Sequence, residues 1–425
     1  MKIAVIGSGG REHALVGRLA ADVGIQNLIC VPGNGGIPNS VSVEELALAH
    51  GIHHDDPEQR LALLLAEAGF ELVVVGPEAP LTKGLADHLR RLGVPVFGPG
   101  KDGARLEGSK VWSKEFMLRH GVATARSASA SSCDEAMVVA REWQGGLVVK
   151  YDGLAGGKGV WVCDEPQQAL AAIEEARHRY GDDATFVIEE KLEGQELSIL
   201  GVTDGVTVRL LSPSQDHKQL LDGDQGPNTG GMGAFTPVPW VTPQMMQAIE
   251  AEVVSPTLAG LAAEGIAYRG VIYFGLMMTA QGPKLLEYNV RFGDPEAEVV
   301  LPKLAGSLAQ LLLACAQGRL AEVDVSFCDG YFVDVVMVSH GYPDSYATGF
   351  AVQGLDAVSQ ETIIFHSGTR RDGQNLVTAG GRVLNVVCRG DSLEAAIAKV
   401  YQEVKKLSFQ GAFYRTDIGQ RRWPQ

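Results

Sequence analysis

The sequence predicts a multidomain chain of mixed α/β and α+β class. A doubly wound parallel sheet comes first, then a larger body with an inserted lid, then a small C-terminal α+β domain. Three observations carry this reading. Over the first hundred residues, short and nearly continuous apolar runs alternate with helical patterns, as in a parallel sheet covered on both faces. A glycine-rich turn between two strand-like runs then interrupts the helical pattern. Finally, at 425 residues the chain is too long for one hydrophobic core, so several packed units are expected.

Strands are expected at residues 2–6, 28–31, 72–75 and 94–97, each bounded by glycine or proline, with helices over 58–68 and 82–92. These form a first domain over 1–105. A helix over 109–120 opens the second domain, 106–325, and residues 121–132 read as a linker. A lid over about 122–194 follows, with strands at 147–151, 160–163 and 185–189 and a helix over 166–180. The body resumes with strands at 196–203 and 206–212, a long helix over 243–264, and strands at 270–279 and 283–290. Strands at 331–339, 362–366 and 382–387 and a helix over 393–407 make up the last domain, 326–425.

Composition narrows the function. Hydrophobic residues at 45% and charged residues at 20% are ordinary for a folded globular chain. The net charge of −15 argues against a nucleic-acid or anionic-membrane partner, although a local basic pocket still suits small anions. The six scattered cysteines include no C-x-x-C pair, so buried reduced thiols are expected. Without a signal-like N-terminus or an apolar run long enough to span a bilayer, a cytoplasmic protein is expected.

Three glycine loops and one strand carry the chemistry. Gly7-Ser8-Gly9-Gly10 after the first strand opens like a dinucleotide fingerprint. Glu12 replaces the third glycine, however, and the second strand ends in Val31-Pro32-Gly33-Asn34 without the ribose-binding acid. A dehydrogenase is therefore disfavoured, leaving a helix N-terminus that holds a phosphate or a turn needed only for packing. The second loop, Lys150 to Val160, fails the P-loop pattern because Gly159 follows Lys158 and Asp152 replaces the first glycine. Small residues around Lys158, between two strands, instead describe a hairpin that folds over phosphates, with Lys150 and Lys158 neutralising charge. A third, polar and glycine-rich stretch joins Ser214–Lys218 to Gly226–Ala234. The strand Lys284–Asp294 alternates so that Glu287, Asn289 and Arg291 share one face, and Leu286, Tyr288, Val290 and Phe292 the other. Glu287 and Asn289 supply hard oxygens suited to Mg²⁺ on a nucleotide, and Arg291 a bidentate clamp for phosphate or carboxylate.

With these residues in place the chain resembles the ATP-grasp superfamily, and within it the glycinamide ribonucleotide synthetases, or phosphoribosylamine–glycine ligases. The resemblance rests on GSGGREHAL from Gly7, GPEAPL from Gly76, LEGSK from Leu106, SQDHK with GPNTGGMGA, EYNVRFGDPE from Glu287, FHSGT from Phe365 and AGGRVL from Ala379. It implies an ATP-grasp body and ATP-dependent ligation of glycine to 5-phosphoribosylamine through glycyl phosphate. The products would be glycinamide ribonucleotide, ADP and phosphate, in purine synthesis. It further implies that Lys110, Lys150, Gly157, Lys158 and Gly159 contact ATP phosphates, that Glu189, Lys191 and Leu192 line the adenine, and that Glu196 holds the ribose. Glu287 and Asn289 would bind Mg²⁺ or Mn²⁺. Asp216, Lys218, Arg291 and Asp294 would act on glycine and the ribosylamine, with Gly9, Gly10 and Glu78 contributing from the first domain. Small-molecule partners and a monomer or weak dimer are expected.

The chain departs from the family pattern at three places: Tyr151 replaces a small residue, Gly156 stands where alanine is common, and Lys191 takes a position often aromatic. A ligase for another acid and amine, and a nucleotide-binding module without catalysis, are the rival readings. The specific loops disfavour the first and the intact Glu287–Asn289 strand the second.

Overall fold

The computed structural model describes residues 1–153 and 159–420. Strands β1 (Ile3–Gly7), β2 (Leu28–Pro32), β3 (Leu72–Val75) and β4 (Val96–Phe97) form a parallel sheet in the order β2-β1-β3-β4. β1 and β3 are buried along their whole length, which is why neither shows polar alternation. The strand order reverses beside β1, so the turn into helix Gly10–Val23 lies at the carboxyl edge where such sheets hold ligands. The helix expected over 82–92 is two short helices, Glu78–Thr82 and Leu85–Arg91, parted by Gly84 at φ 95°.

Helix Lys110–Arg119, capped by Ser109, leads into the unit expected to act as a lid. Here β5 (Ser127–Ala130), β6 (Leu147–Tyr151), β7 (Val160–Cys163) and β8 (Phe186–Glu190) form an antiparallel sheet in the order β5-β8-β6-β7. The stretch 121–132, read as a linker, therefore contains a strand. Its Ser-Ala-Ser-Ala sequence has no apolar alternation, and pairing with β8 makes it extended. Helices Cys133–Glu142 and Pro166–Tyr180 cover the sheet over a separate core that includes Val149, Ile173, Phe186 and Ile188. Tyr151 packs inside this unit, stacked on Tyr180 with ring centroids 3.8 Å apart.

The body begins with β9 (Gln195–Thr203) and β10 (Val208–Leu210). The chain then runs through β11 (Gln215–Asp216), the hairpin β12 (Gln219–Leu221) and β13 (Gln225–Asn228), and β14 (Gly233–Thr236). β15 (Gly270–Thr279) and β16 (Gly282–Asn289) complete an antiparallel sheet in the order β10-β9-β15-β16. The long helix before β15 widens into a π-turn at Glu250–Val254, just ahead of Pro256. Proline has no N–H to offer the Glu252 carbonyl, which accepts instead from Ala123 N at 3.0 Å. The Ala123 carbonyl in turn accepts from Leu285 N at 2.8 Å, so the root of the lid is stitched to both the helix and β16.

After helices Ala297–Lys303 and Leu308–Gln317 and the short pair β17 (Leu304–Ala305) and β18 (Ser326–Phe327), the chain enters β19 (Tyr331–Val338) and β20 (Ile363–His366). The hairpin β21 (Thr369–Asp372) and β22 (Asn375–Thr378) precedes β23 (Arg382–Gly390). The resulting five-stranded sheet has the order β11-β14-β19-β23-β20. Body strands β11 and β14 thus belong to the C-terminal sheet, which fixes Gln215 and Asp216 against it. Helix Leu393–Glu403 packs on the same sheet. All six cysteines are free, and among the described residues no helix is long and apolar enough to cross a membrane.

Candidate active site

The N-terminal turn, the lid, β16 and the C-terminal sheet converge on a cavity of about 450 Å³. β16 supplies its floor, with one correction to the expected alternation. A β-bulge pairs Leu285 with Leu276 and Glu287 with Gly275, leaving Leu286 as the extra residue. Leu285 is therefore the side chain that enters the core, while Leu286 joins Glu287 and Asn289 along the cavity. The bulge also frees the Leu286 carbonyl, which accepts from Lys150 Nζ at 2.8 Å.

One end of the cavity is built from lysines. Lys110 and Lys114, one helical turn apart, share a face of their helix. Glu189, 2% exposed, accepts both Lys114 and Lys150, each ammonium 2.9 Å from one carboxylate oxygen. Lys114 also donates to Thr124 Oγ1 at 2.6 Å. Lys110 Nζ reaches the Gly153 carbonyl at 2.9 Å, at the start of the glycine-rich turn. Asp152, which spoils the P-loop pattern, caps this helix through Lys110 N at 2.5 Å and Val111 N at 3.3 Å. Gly159 lines the cavity, whereas Gly157 and Lys158 lie outside the described residues. Burial, resisted by Glu287, holds Lys110 below the ordinary lysine range. Burial, resisted by Glu189, does the same at Lys114.

Glu287 faces these lysines. Burial acts to raise its pKa, but Lys218, Lys150, Lys110 and Arg291 outweigh burial and leave it below the usual carboxylate value. Glu287 with the Asn289 amide oxygen gives two hard donors beside the lysines. That set suits a Mg²⁺ ion, which Glu287 and Asn289 would hold and which would offset negative charge on phosphate oxygens. Among the described residues there is no cluster of three or more acidic, histidine or cysteine ligands that could close a protein-only metal cage.

The other end gathers guanidinium and carboxylate groups. Arg291 spans Glu107 at 2.9 Å and Glu78 at 3.4 Å, and donates to Asn289 Oδ1 at 3.0 Å. Burial favours a neutral Glu78, but Arg291 and then Arg11 bring it below its ordinary pKa. Asp294 pairs with Arg382 at 3.0 Å. Lys218 Nζ lies 3.1 Å from Glu196. Tyr273 OH donates to Glu296 Oε1 at 2.9 Å. Asp216, beside Lys218, is raised to about 7 by burial, with Glu296 and Glu196 adding to the effect and Lys218 opposing it.

Of the residues singled out from sequence, Glu78, Lys110, Lys150, Gly159, Glu189, Asp216, Lys218, Glu287, Asn289, Arg291 and Asp294 line this one cavity. Glu196 reaches it only through Lys218. Lys191 and Leu192 are not among the lining residues, and the Lys191 side chain pairs with Asp164. Gly9 and Gly10 flank the cavity without lining it. The Ser8 and Gly9 N–H groups already donate to Glu12 Oε2, at 3.1 and 2.6 Å. A Cβ on Gly10 would stand 2.5 Å from Glu298 Oε1 and 2.6 Å from Ser367 Oγ, so the glycine permits close packing against the C-terminal sheet.

Arg11, Glu107, Lys114, Tyr273, Glu296 and Arg382 also line the cavity, with no role expected of them from the sequence. Part of the signal is local: Lys114 follows Lys110 by four residues on a helix, and Arg11, Glu107, Glu296 and Arg382 lie inside the motifs that carry the resemblance. Tyr273 sits in an unbroken apolar strand and left no such sign.

Models of the phosphoribosylglycinamide synthetase N domain, ATP-grasp (A) domain and C domain match residues 1–107, 108–297 and 332–421. A phosphoribosylamine–glycine ligase of Nostoc sp. is 44% identical over 99% of this chain and 99% of its own length. One from Clostridium acetobutylicum is 40% identical with the same coverage of both. The crystal structure of the phosphoribosylamine–glycine ligase of Thermotoga maritima superposes with a TM-score of 0.82 at 35% identity, covering 98% of this chain and all of that one. A biotin carboxylase of Campylobacter jejuni, at 14% identity and a TM-score of 0.70 over 97% and 92% of the two chains, shares the fold. With all three domain models matched in order, the chain belongs to the phosphoribosylglycinamide synthetase family.

Proposed function

We propose that this chain ligates glycine to 5-phosphoribosylamine with cleavage of ATP to ADP and phosphate, as an ATP-dependent carbon–nitrogen ligase of purine synthesis. The observation that carries the reading is a single cavity with two chemically distinct ends. Lysines suited to a polyphosphate lie against β16, and guanidinium and carboxylate groups suited to an amino acid and a phosphorylated amine lie opposite. The full-length relatives carry the name of this ligase.

A carboxylate resists attack by an amine because oxide is a poor leaving group, so activation must come first. A glycine carboxylate oxygen attacks the γ-phosphorus, the bond to ADP breaks, and glycyl phosphate forms. The amine nitrogen of phosphoribosylamine then attacks the glycyl carbon, and phosphate leaves with the electrons of the C–O bond. Lys110 and Lys150 neutralise charge on the transferring phosphoryl group, and their fixed positions avoid reorganisation during the step. Mg²⁺ or Mn²⁺ held by Glu287 and Asn289 would add charge stabilisation on the phosphate oxygens. Arg291 and Arg382 orient the carboxylate and the ribosyl phosphate. Asp216 accepts the proton that the attacking nitrogen loses. The lid, rooted at Ala123, covers the acyl phosphate against water.

The test is ADP release measured with 5-phosphoribosylamine generated in situ. The reading requires both glycine and the amine. Release driven by another carboxylate while glycine stays inert would refute it.

A further inference from the structure

The hairpin β12–β13 is a two-stranded ribbon whose strands pair only with each other, an arrangement of marginal stability by itself. Its two roots, Lys218 and Thr229, both line the cavity. Thr229 N and Oγ1 each donate to the Lys218 carbonyl at 2.8 Å, so the roots move together. Its tip contains Asp224 at φ 55°, a left-handed conformation that costs a non-glycine residue energy.

The C-terminal segment grips that tip. Arg415 is 0% exposed and donates to the Gln219 carbonyl at 3.0 Å and to Asp224 at 3.2 Å. Its remaining N–H groups meet both oxygens of Asp417 at 2.7 Å. Asp417 in turn accepts from Gly223 N at 2.8 Å, and Asp222 accepts from Thr416 N at 2.8 Å. The segment is itself anchored, since Tyr401 OH donates to the Arg415 carbonyl at 2.9 Å and accepts from Ile418 N at 3.0 Å.

We propose that Arg415 is a positioning residue for the substrate end of the cavity: by locking the hairpin tip against the C-terminal segment, it holds Lys218 and Thr229 at the site. The identity of the substrates rests on the ligase reading, but the clamp itself does not. A merely structural arginine would affect all substrates alike. A clamp on this hairpin acts first on glycine and the amine, and reaches ATP only indirectly, through the Lys218–Glu196 pair.

Full-length Arg415→Met, Arg415→Lys and the exposed pair Asp222→Asn with Thr416→Val provide the test. For Arg415→Met, kcat/KM for glycine and the amine should fall about tenfold or more while KM for ATP changes by a clearly smaller factor. Arg415→Lys, which keeps the charge but loses the fork, should recover part of that loss. Trypsin should cut after Lys218 several-fold faster in the methionine variant and in the exposed pair. The exposed pair should show the same kinetic split at smaller size, and it decides the matter alone if the methionine variant does not fold. Folded variants that lose efficiency equally for all three substrates, or show unchanged cleavage after Lys218, overturn the proposal. Should the wild type use a different acid, the ligase reading fails while trypsin cleavage still reads the clamp.

Discussion

Replacing Glu189 by glutamine removes the one negative charge that two buried ammonium groups share. Lys114 and Lys150 each lie 2.9 Å from it, and their side chains are only 4% and 8% exposed. Removing one partner of a buried pair costs about 3–5 kcal/mol, because the remaining charge cannot reach water. The two pairs share a carboxylate, so their losses do not simply add, and the upper end of that range is the expectation. For a cooperative unit of about 200 residues, each kcal/mol moves Tm by roughly 2–4 °C, so Glu189→Gln should lower the transition by roughly 10–20 °C. If the lysines face nucleotide phosphates, saturating magnesium ATP replaces the lost charge and narrows the gap between variant and wild type. Scanning calorimetry with and without nucleotide measures both effects. A transition unmoved in the absence of ligand would refute the buried triad, and a gap that nucleotide leaves unchanged would refute the placement of phosphate at these lysines.

Five further outcomes follow from the geometry. Glu287→Ala with Asn289→Ala should reduce turnover by about 10²-fold or more while the far-ultraviolet dichroism stays native, and undiminished ADP release would remove the metal assignment. Chelation by EDTA should stop ADP formation and added Mg²⁺ or Mn²⁺ restore it; full activity without divalent ions would count against the Glu287–Asn289 pair. Asp216, raised to about 7, must lose its proton to accept another, so kcat/KM should rise with pH through about 7 and lose that step in Asp216→Asn. The sign for stability is opposite. A carboxyl with a raised folded-state pKa stabilises the fold least above that pKa, so Asp216→Asn should gain Tm at pH 8 relative to wild type and nothing at pH 3, as paired melting curves would show. Gly10→Ala places a Cβ 2.5 Å from Glu298 Oε1 and should destabilise the junction with the C-terminal sheet by about 1–3 kcal/mol in urea denaturation, whereas a neutral result would mean the junction yields easily.

What the sequence revealed follows from how local each feature is. The parallel sheet and the strands β6 and β7 announce themselves because each is a run of consecutive apolar residues. The polar face of β16 was legible for the same reason, but the bulge at Leu286 was not, since it depends on the register with β15. β5 escaped detection because Ser-Ala-Ser-Ala is extended only by virtue of its partner. In the cavity, residues of suitable chemistry could be named from motifs, whereas their partners could not. Arg291 meets Glu107 and Glu78, and Asp294 meets Arg382, across breaks in the chain that no periodicity records. The grip of Arg415 on the β12–β13 tip is of this kind as well.

The acyl-phosphate step stands at the centre of the account, and the fate of the glycine carboxylate oxygens tests it most directly. With glycine labelled by ¹⁸O in both carboxylate positions, one labelled oxygen should appear in the released phosphate in each turnover and the other in the amide of the product. Phosphate free of label, with ADP still formed, would contradict activation of glycine by phosphorylation.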